Sequence, residues 1–370
     1  MGMLAEQVDH VIGVDTHRDS HSAAVAAALT GHVTAQTTLS ADAFGYKRLL
    51  RFARREAPGR RVWAIESSGS YGAGLAAFLL EQGEWVVEVD RPKRPARRNG
   101  AKSDELDAVR AAREALARDH LGQPRQRGDR EAVRVLLVTR RSAVRARTKA
   151  INHLKSLVVT AREELRNQLR RLDTDQLVTR CARLRTLPSH PVEHRATVIA
   201  LRRTAQRILA LEAEANDLET EIEQLVKQAV PDLLAETGVG PLSAAQLYCS
   251  WSHQGRLRND GAFAMLAGSA PIPASSGQTV RHRLNRGGDR QLNCALHTIV
   301  LTRLKHDPET RAYAARRAAE GKTPREIKRC LKRYTARRLF RILETTGPEP
   351  APQVSRSHAR RRSRTLGPCS

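Results

Sequence analysis

Aromatic residues are scarce in this chain of 370 residues, at 4% of the total. Its cores must be built from Leu, Val, Ile and Ala, and a hydrophobic content of 40% supplies enough of them to exclude wholesale disorder. Cysteine is sparse as well. Cys181, Cys249, Cys294, Cys330 and Cys369 are scattered, odd in number and never in a CxxC pair. That excludes a disulfide framework and a cysteine zinc site, and it fits a reducing cytoplasm. His190 and His194 stand four apart with Cys181 upstream, but Pro191 lies between them and a fourth ligand is missing, so zinc is not expected. No apolar run approaches the roughly 18 residues of a membrane span. The opening MGMLAEQVDH has no basic stretch before an apolar one, so no secretory signal is expected. Acidic residues are too few for balance: 39 Asp+Glu face 64 Lys+Arg, a net charge of +25. The usual partner of such a surface is nucleic acid.

The excess charge is unevenly placed. Residues 1–120 hold 17 basic and 16 acidic side chains, so nearly the whole surplus lies beyond them. One part can do chemistry with carboxylates while another grips phosphates. The first third alternates strand and helix signals. Val11 to Val14 is a short apolar run ending at Asp15, and residues 22–29 and 32–39 read as two strands about the Thr30-Gly31 turn. Residues 41–55 have helical periodicity; 61–65 form a strand ending at Glu66; 71–82 form an apolar helix closed by Gly83; 85–89 form a fifth strand. A basic loop follows, and Ser103 caps a helix to about residue 118. The order β-β-β-α-β-α-β-α is that of a ribonuclease-H-like domain, over residues 8–120.

Residues 121–230 read as basic and helical, with one continuous helix expected over 129–186. In the next helix Leu201, Ile208, Ala215, Ile222 and Ala229 fall seven apart, and Thr204, Leu211, Leu218 and Leu225 fall three after the first four. This is the seam of a coiled coil, whose partner is the preceding helix or another subunit. Pro231 opens a mainly α-helical C-terminal domain over 231–345, and 346–370 is a basic tail without apolar pattern, expected to be disordered.

Four carboxylates stand out by position: Asp15 and Glu66 at the ends of the first and fourth strands, Asp104 and Asp107 on the helix after the fifth. Strands one and four of such a sheet are neighbours, and an i, i+3 spacing puts the two aspartates on one helix face. Clustered carboxylates repel, and hard cations such as Mg²⁺ are the usual remedy; two such ions stabilise the attacking and leaving oxygens of phosphoryl transfer. Taken singly, Asp104 reads equally well as a first-turn helix acid and Asp107 as a solvated one.

With these stretches in hand, the chain resembles the IS-one-ten family of bacterial insertion-sequence transposases, the DEDD transposases with a RuvC-like N-terminal domain. The resemblance rests on Val11-Ile12-Gly13-Val14-Asp15, Ala64-Ile65-Glu66-Ser67-Ser68-Gly69 and Lys102-Ser103-Asp104-Glu105-Leu106-Asp107-Ala108. In the C-terminal half it rests on Ala267-Gly268-Ser269-Ala270-Pro271, Ser275-Ser276-Gly277 and the run from Asn285 to Leu292. Ser103 stands where the family commonly has Thr. The resemblance implies that Asp15, Glu66, Asp104 and Asp107 bind divalent metal, expected to be two Mg²⁺ ions. It also implies a nucleophilic serine, Ser276 with Ser275 as runner-up, that forms a covalent phosphoserine link to DNA. It further implies guidance by a structured bridge RNA that pairs with donor and target DNA. Such a protein is expected in the bacterial cytoplasm, associated with the nucleoid, as a homodimer or homotetramer.

The residues around the serine suit that chemistry. A Pro-flanked turn ending in Gly can fix an exposed hydroxyl, and Arg281, Arg283 and Arg286 can stabilise charge at a scissile phosphate. Read alone, the same stretch is an ordinary Ser-Gly loop. Gly238 and Gly240 read as the hairpin of a helix-hairpin-helix meeting DNA phosphate, or as a plain tight turn. Two other functions stay open at this point: a RuvC-like junction endonuclease without a covalent intermediate, and a non-enzymatic architectural nucleic-acid binder.

Overall fold

The computed structural model describes residues 3–89, 104–118, 120–275, 277 and 282–349. The chain divides into two compact units. The first comprises residues 1–127, the segment Ser252–Arg258 and the chain from Glu349 onward; the second comprises Gly128–Trp251 and Asn259–Pro348.

The first unit opens with α1 (Leu4–Gln7) and continues β1 (His10–Thr16), β2 (Ser20–Ala27), β3 (Val33–Ser40), α2 (Ala43–Glu56), β4 (Arg61–Glu66), α3 (Ala73–Glu81), β5 (Val86–Val89) and α4 (Asp104–Leu116). The strands form one sheet in the order β3-β2-β1-β4-β5. The first three pair antiparallel; β1, β4 and β5 are parallel. This is the mixed, ribonuclease-H-like sheet expected from the element order, with α1 added in front. Each strand is buried on both faces except the edge strand β3, whose residues alternate between half-buried and exposed.

Side-chain parity divides the core in two. Ile12, Val14, Ala23, Val25, Trp63 and Ile65 face α2 and α3. Val11, Ala26, Val62, Ala64, Val87 and Val89 face α4, which answers with Ala111, Ala112 and Ala115. The second face is built largely of small side chains, so the helix lies close to the sheet. The nearest approach is at Gly13. A Cβ there would fall inside the contact radius of the Ala108 carbonyl and the Ala112 amide, and only 2.9 Å from the Ala112 Cβ. Ser252–Arg258 completes this unit. Arg256 lies 3.7 Å from Glu88 and donates to the Gln123 carbonyl, His253 bonds the Gln123 side chain, and the Ser252 hydroxyl accepts from the Gln126 amide at 2.9 Å.

The second unit is mainly helical. It holds α5 (Asp129–Thr160), α6 (Glu163–Leu169), α7 (Thr174–Ala182), α8 (Val192–Ala229), α9 (Pro231–Leu234), α10 (Pro241–Trp251) and α11 (Asp260–Leu266). A two-stranded ribbon of β6 (Ile272–Pro273) and β7 (His282–Arg283) follows, then α12 (Arg290–His306), α13 (Pro308–Ala319) and α14 (Pro324–Thr346). The single helix expected over 129–186 is three helices. The chain is extended at Ala161 and Arg162, and a capping box between Asp173 and Gln176 starts α7 afresh. An apolar stripe continues across both breaks, which is why periodicity alone joins them.

The long helices α5 and α8 pack together and run antiparallel. Arg140 pairs with Glu219 at 2.6 Å and Arg147 with Glu212 at 2.9 Å, so seven residues forward on one helix match seven back on the other. Leu201, Ile208, Ala215 and Ile222 are buried, as is Thr204; Leu211, Leu218 and Leu225 remain half-buried. At the far end Ala150, Leu154 and Val158 of α5 share a core with Leu201 and Ile208 and with α6 and α7. The tail beyond Glu349, expected to be disordered, lies outside the described residues.

The close approach at Gly13 generates a test. Gly13→Ala inserts a methyl where backbone already stands, so the variant should lose about 3 kcal/mol of stability, the upper range for overpacking. Urea denaturation of the full chain measures this; a wild-type midpoint would show that α4 does not depend on the contact.

Candidate functional site

Asp15, at the carboxyl end of β1, shares the parity of Val11 and Gly13 and therefore lies on the α4 side of the sheet. Glu66 has the parity of Val62 and Ala64 and ends the neighbouring strand. The parallel register runs to Val14 opposite Ile65, so Asp15 and Glu66 are the next pair along. Both residues are buried. The Thr16 hydroxyl donates to the Glu66 carbonyl at 3.0 Å and ties the two strand ends together. Immediately beyond, Ser67 takes a left-handed conformation at φ 58°, uncommon outside glycine, and turns the chain sharply away.

On α4, Ala108, Ala111, Ala112 and Ala115 are the buried stripe. Asp104 and Asp107 stand four residues before Ala108 and Ala111, so they extend that stripe to the open end of the helix. Asp15 and Asp104 come together there, joined by a residue that the apolar pattern does not single out. The His17 Nε2 lies 3.1 Å from the Asp15 carboxylate and 3.2 Å from that of Asp104. One ligand atom from each of the three lies within 4.8 Å of the others, the group among the described residues suited to a metal ion. Asp107 sits one turn along, half-buried, and its carboxylate is paired with Arg110 at 2.5 Å. A signal for His17 does exist in the sequence: it follows Asp15 by two, the strand repeat that keeps one face.

Burial pushes the Asp15 carboxyl above the usual carboxylate range. His17 pulls it back, while Asp107 and Asp104 add to the rise. Negative charge is thus crowded about the buried Asp15, with Asp104 at the solvent edge, and a cation placed there lowers the energy of the whole group. The donor set, carboxylate oxygens with one imidazole, is the chemistry that hard and borderline divalent ions accept.

In the second unit, Ser275 and Gly277 lie in the loop between β6 and β7, and both are exposed; Ser276 and Arg281 lie outside the described residues. Arg283 is on β7 and Arg286 in the loop after it, both exposed. The two motif stretches that flank this ribbon meet. A Cβ on Gly288 would stand 2.6 Å from the Gly268 Cα and 2.8 Å from the Leu266 carbonyl, so the two glycines cross in backbone contact. Asp289 caps α12 through the Gln291 and Leu292 amides and accepts from the Ser250 hydroxyl at 2.9 Å. Asn293 donates to the Ala267 carbonyl and Asn285 to that of Met265. Both ends of the loop are therefore anchored to α10, α11 and α12.

Gly238 and Gly240 are placed differently from one another. Gly238, at φ 80°, packs on α12, where a Cβ would meet the Ile299 carbonyl at 3.1 Å; Gly240 is exposed. Glu236 before them is held by Arg303 and Arg338. Burial alone would raise its carboxyl, but the Arg338 and Arg303 hydrogen bonds keep it below the usual range.

Residues 12–162 match the family model of the DEDD transposases of IS110, and residues 232–315 match the model described as the transposase IS116/IS110/IS902 family. The chain is 25% identical over 315 residues to the uncharacterized 42 kDa protein of insertion element IS900 from Mycobacterium paratuberculosis, covering 71% of this chain and 78% of that one. It is 30% identical over 142 residues to the uncharacterized 43.6 kDa protein of insertion element IS110 from Streptomyces coelicolor, covering 38% and 35% of the two.

His17 bridges two carboxylates, so its loss should be felt by the fold. In EDTA, His17→Ala should melt about 3 °C lower than wild type for each kcal/mol of pairing removed. Adding Mn²⁺ should restore most of the difference. Equal melting temperatures in EDTA would mean that the imidazole does not relieve the carboxylates.

Proposed function

Because the chain belongs to the IS110 family of insertion-sequence transposases, we propose that it breaks and rejoins DNA using a divalent-metal centre in its first unit and a serine nucleophile in its second. The family is one of DNA-processing enzymes whose chemistry implies a divalent metal. The observation that carries the reading is the convergence of Asp15, His17 and Asp104 at the carboxyl ends of the parallel strands.

Asp15, Glu66, Asp104 and Asp107 would hold the metal, Mg²⁺ in our reading and two ions when DNA is present. A bound divalent ion supplies positive charge to a phosphate whose oxygens gain charge in the transition state. The chain's own residues set up the rest. Asp15 is aimed by β1 and fixed by burial; Asp104 is aimed by α4; His17 holds both carboxylates in place. Ser276 supplies the attacking hydroxyl, with Ser275 as the alternative. Its Oγ forms a bond to phosphorus as the bond from phosphorus to one neighbouring sugar oxygen breaks. That oxygen leaves with the proton, and the strand stays joined to protein as a phosphoserine diester. Arg281, Arg283 and Arg286 offset charge on the phosphate, and Gly240 offers its backbone amide to a DNA phosphate. The bridge RNA supplies the base pairing that selects donor and target.

Two experiments test this. Asp15→Asn and Asp104→Asn should lose strand cleavage by about 10³-fold or more, the scale of removing a charge-stabilising group, while binding DNA as wild type. Wild-type protein trapped on nicked DNA with RNA from the element's end should give a covalent adduct that survives denaturation, and Ser276→Ala should give none. Product with a free phosphate and no adduct would mean that water attacks, leaving a metal-dependent nuclease; adduct formation without the RNA would reject guidance.

The half-buried leucine row of α8 supports assembly as a homodimer or homotetramer through a coiled-coil seam. Leu218→Asp should then lower the mass measured by light scattering; an unchanged mass would assign that row to packing within one chain.

A further inference from the structure

The cations of α14 are treated in two ways. Toward its C-terminal end they are paired with carboxylates of the second unit: Arg337 and Arg341 each lie 2.9 Å from Asp260, and Arg338 the same distance from Glu236. Toward its N-terminal end, Arg325, Lys328, Arg329, Lys332 and Arg333 make no ion pair among the described residues. Four of them follow the i, i+3, i+4, i+7 spacing of one helix face. That face forms a wall of two adjoining clefts of about 540 and 730 Å³, which share Gly268, Leu284, Asn285, Arg329 and Lys332.

The rest of the lining is also basic. Arg286, Arg290 and His297 line one cleft, and Arg283 and Lys322 the other. Glu326 is the acidic residue of this lining, and it is spent locally, accepting from the Thr323 amide at 2.9 Å and hydroxyl at 2.7 Å as the cap of α14. The crowding is felt by the groups within. Burial, then Arg329, holds the Lys332 ammonium below its usual range; burial, then Lys332 and Lys328, does the same to His297. Like charges facing one another across a cleft destabilise the folded state, so packing alone does not explain them.

We propose that this double cleft binds the phosphodiester backbone of one strand of the DNA on which the transposase acts. The inference rests on the transposase reading and adds to it a binding site of named residues. Size argues for a single strand. Each cleft has the volume of a small-ligand pocket, room for one or two nucleotides and not for a duplex. The run from Arg325 to Lys332 spans about 10 Å of helix, which matches about three nucleotides of a stacked strand at about 3.4 Å each. The Gly268–Gly288 crossing keeps the floor low, and guanidinium planes give bases a surface to stack on.

The test uses the full chain and a fluorescein-labelled single-stranded DNA of mixed sequence, about 20 nucleotides long, read by anisotropy across a salt series. Arg325→Gln/Arg329→Gln should bind about tenfold or more weakly, irrespective of sequence. Its slope of log affinity against log salt should be shallower by about 1.4, from about 0.7 per lost phosphate contact on a single strand. Arg203→Gln/Arg207→Gln, on exposed positions of α8, removes the same charge and should bind as wild type. Equal loss in both variants would reduce the effect to net charge and overturn the proposal. So would no loss in either, or a loss seen only with RNA of the same sequence. The transposase reading fails on a separate measurement, the absence of metal-dependent strand cleavage by wild type.

Discussion

Everything at the cluster of Asp15, His17 and Asp104 depends on how closely one helix can lie against one strand. A helix-on-sheet contact built of large side chains would hold α4 well away from β1, and a carboxylate on its first turn would not reach one at the strand's end. Here α4 presents alanines, and the strand it lies on has glycine at the closest point, Gly13. Small residues give up buried area, and with it some hydrophobic stabilisation. What they return is distance: Asp104 and Asp15 come near enough for one imidazole to touch both. The buried face opposite, with Trp63, Leu49, Leu75 and Leu79, carries the larger side chains. Stability and proximity are thus assigned to different faces of one sheet.

The second unit solves a related problem with a different device. Ser275 and Gly277, the described residues of the β6–β7 loop beyond Ala274, are exposed, and such loops have little packing of their own. Its two ends are fixed by the backbone crossing of Gly268 and Gly288 and by amide and carboxylate side chains reaching helix ends and carbonyls. Arg141 to Gln246, Gln246 to Ser250 and Ser250 to Asp289 form a continuous line of hydrogen bonds from α5 to the cap of α12. Both ends of the loop are thus held by the second unit's own helices.

Much of the first unit is legible in the amino-acid sequence. Strand ends at Asp15 and Glu66, and the i, i+3 pair on the next helix, follow from two repeats, 2 and 3.6, that apolar residues make visible. His17 escapes that pattern because it lies just past the last strand residue, where the apolar signal stops although the geometric repeat carries on. The joins at Ala161 and Leu172 escape it for the opposite reason, since the apolar stripe runs through the breaks. Gly238 is ambiguous in sequence because a positive φ serves a turn that packs as well as one that meets a ligand; only the presence of Ile299 and Arg303 beside it separates the two. The basic groove of α14 cannot be read from the sequence at all. Its helix carries basic residues from Arg325 to Arg341, and which arginines are already neutralised depends on Asp260 and Glu236, 77 and 102 residues away from Arg337 and Arg338.

The short segment Ser252–Arg258 has a bearing on how such proteins diversify. It belongs to the first unit, although the chain on either side of it belongs to the second. Arg256, its guanidinium largely buried, reaches Glu88 on β5 and the Gln123 carbonyl. The five-stranded sheet is therefore not a self-contained N-terminal cassette. A recombination event that exchanges residues 1–127 between two relatives also exchanges the partner of a short segment encoded much further downstream. A hybrid keeps these contacts only where residues 252–258 suit the new sheet, so a gene break after residue 127 divides one packed unit between two parents.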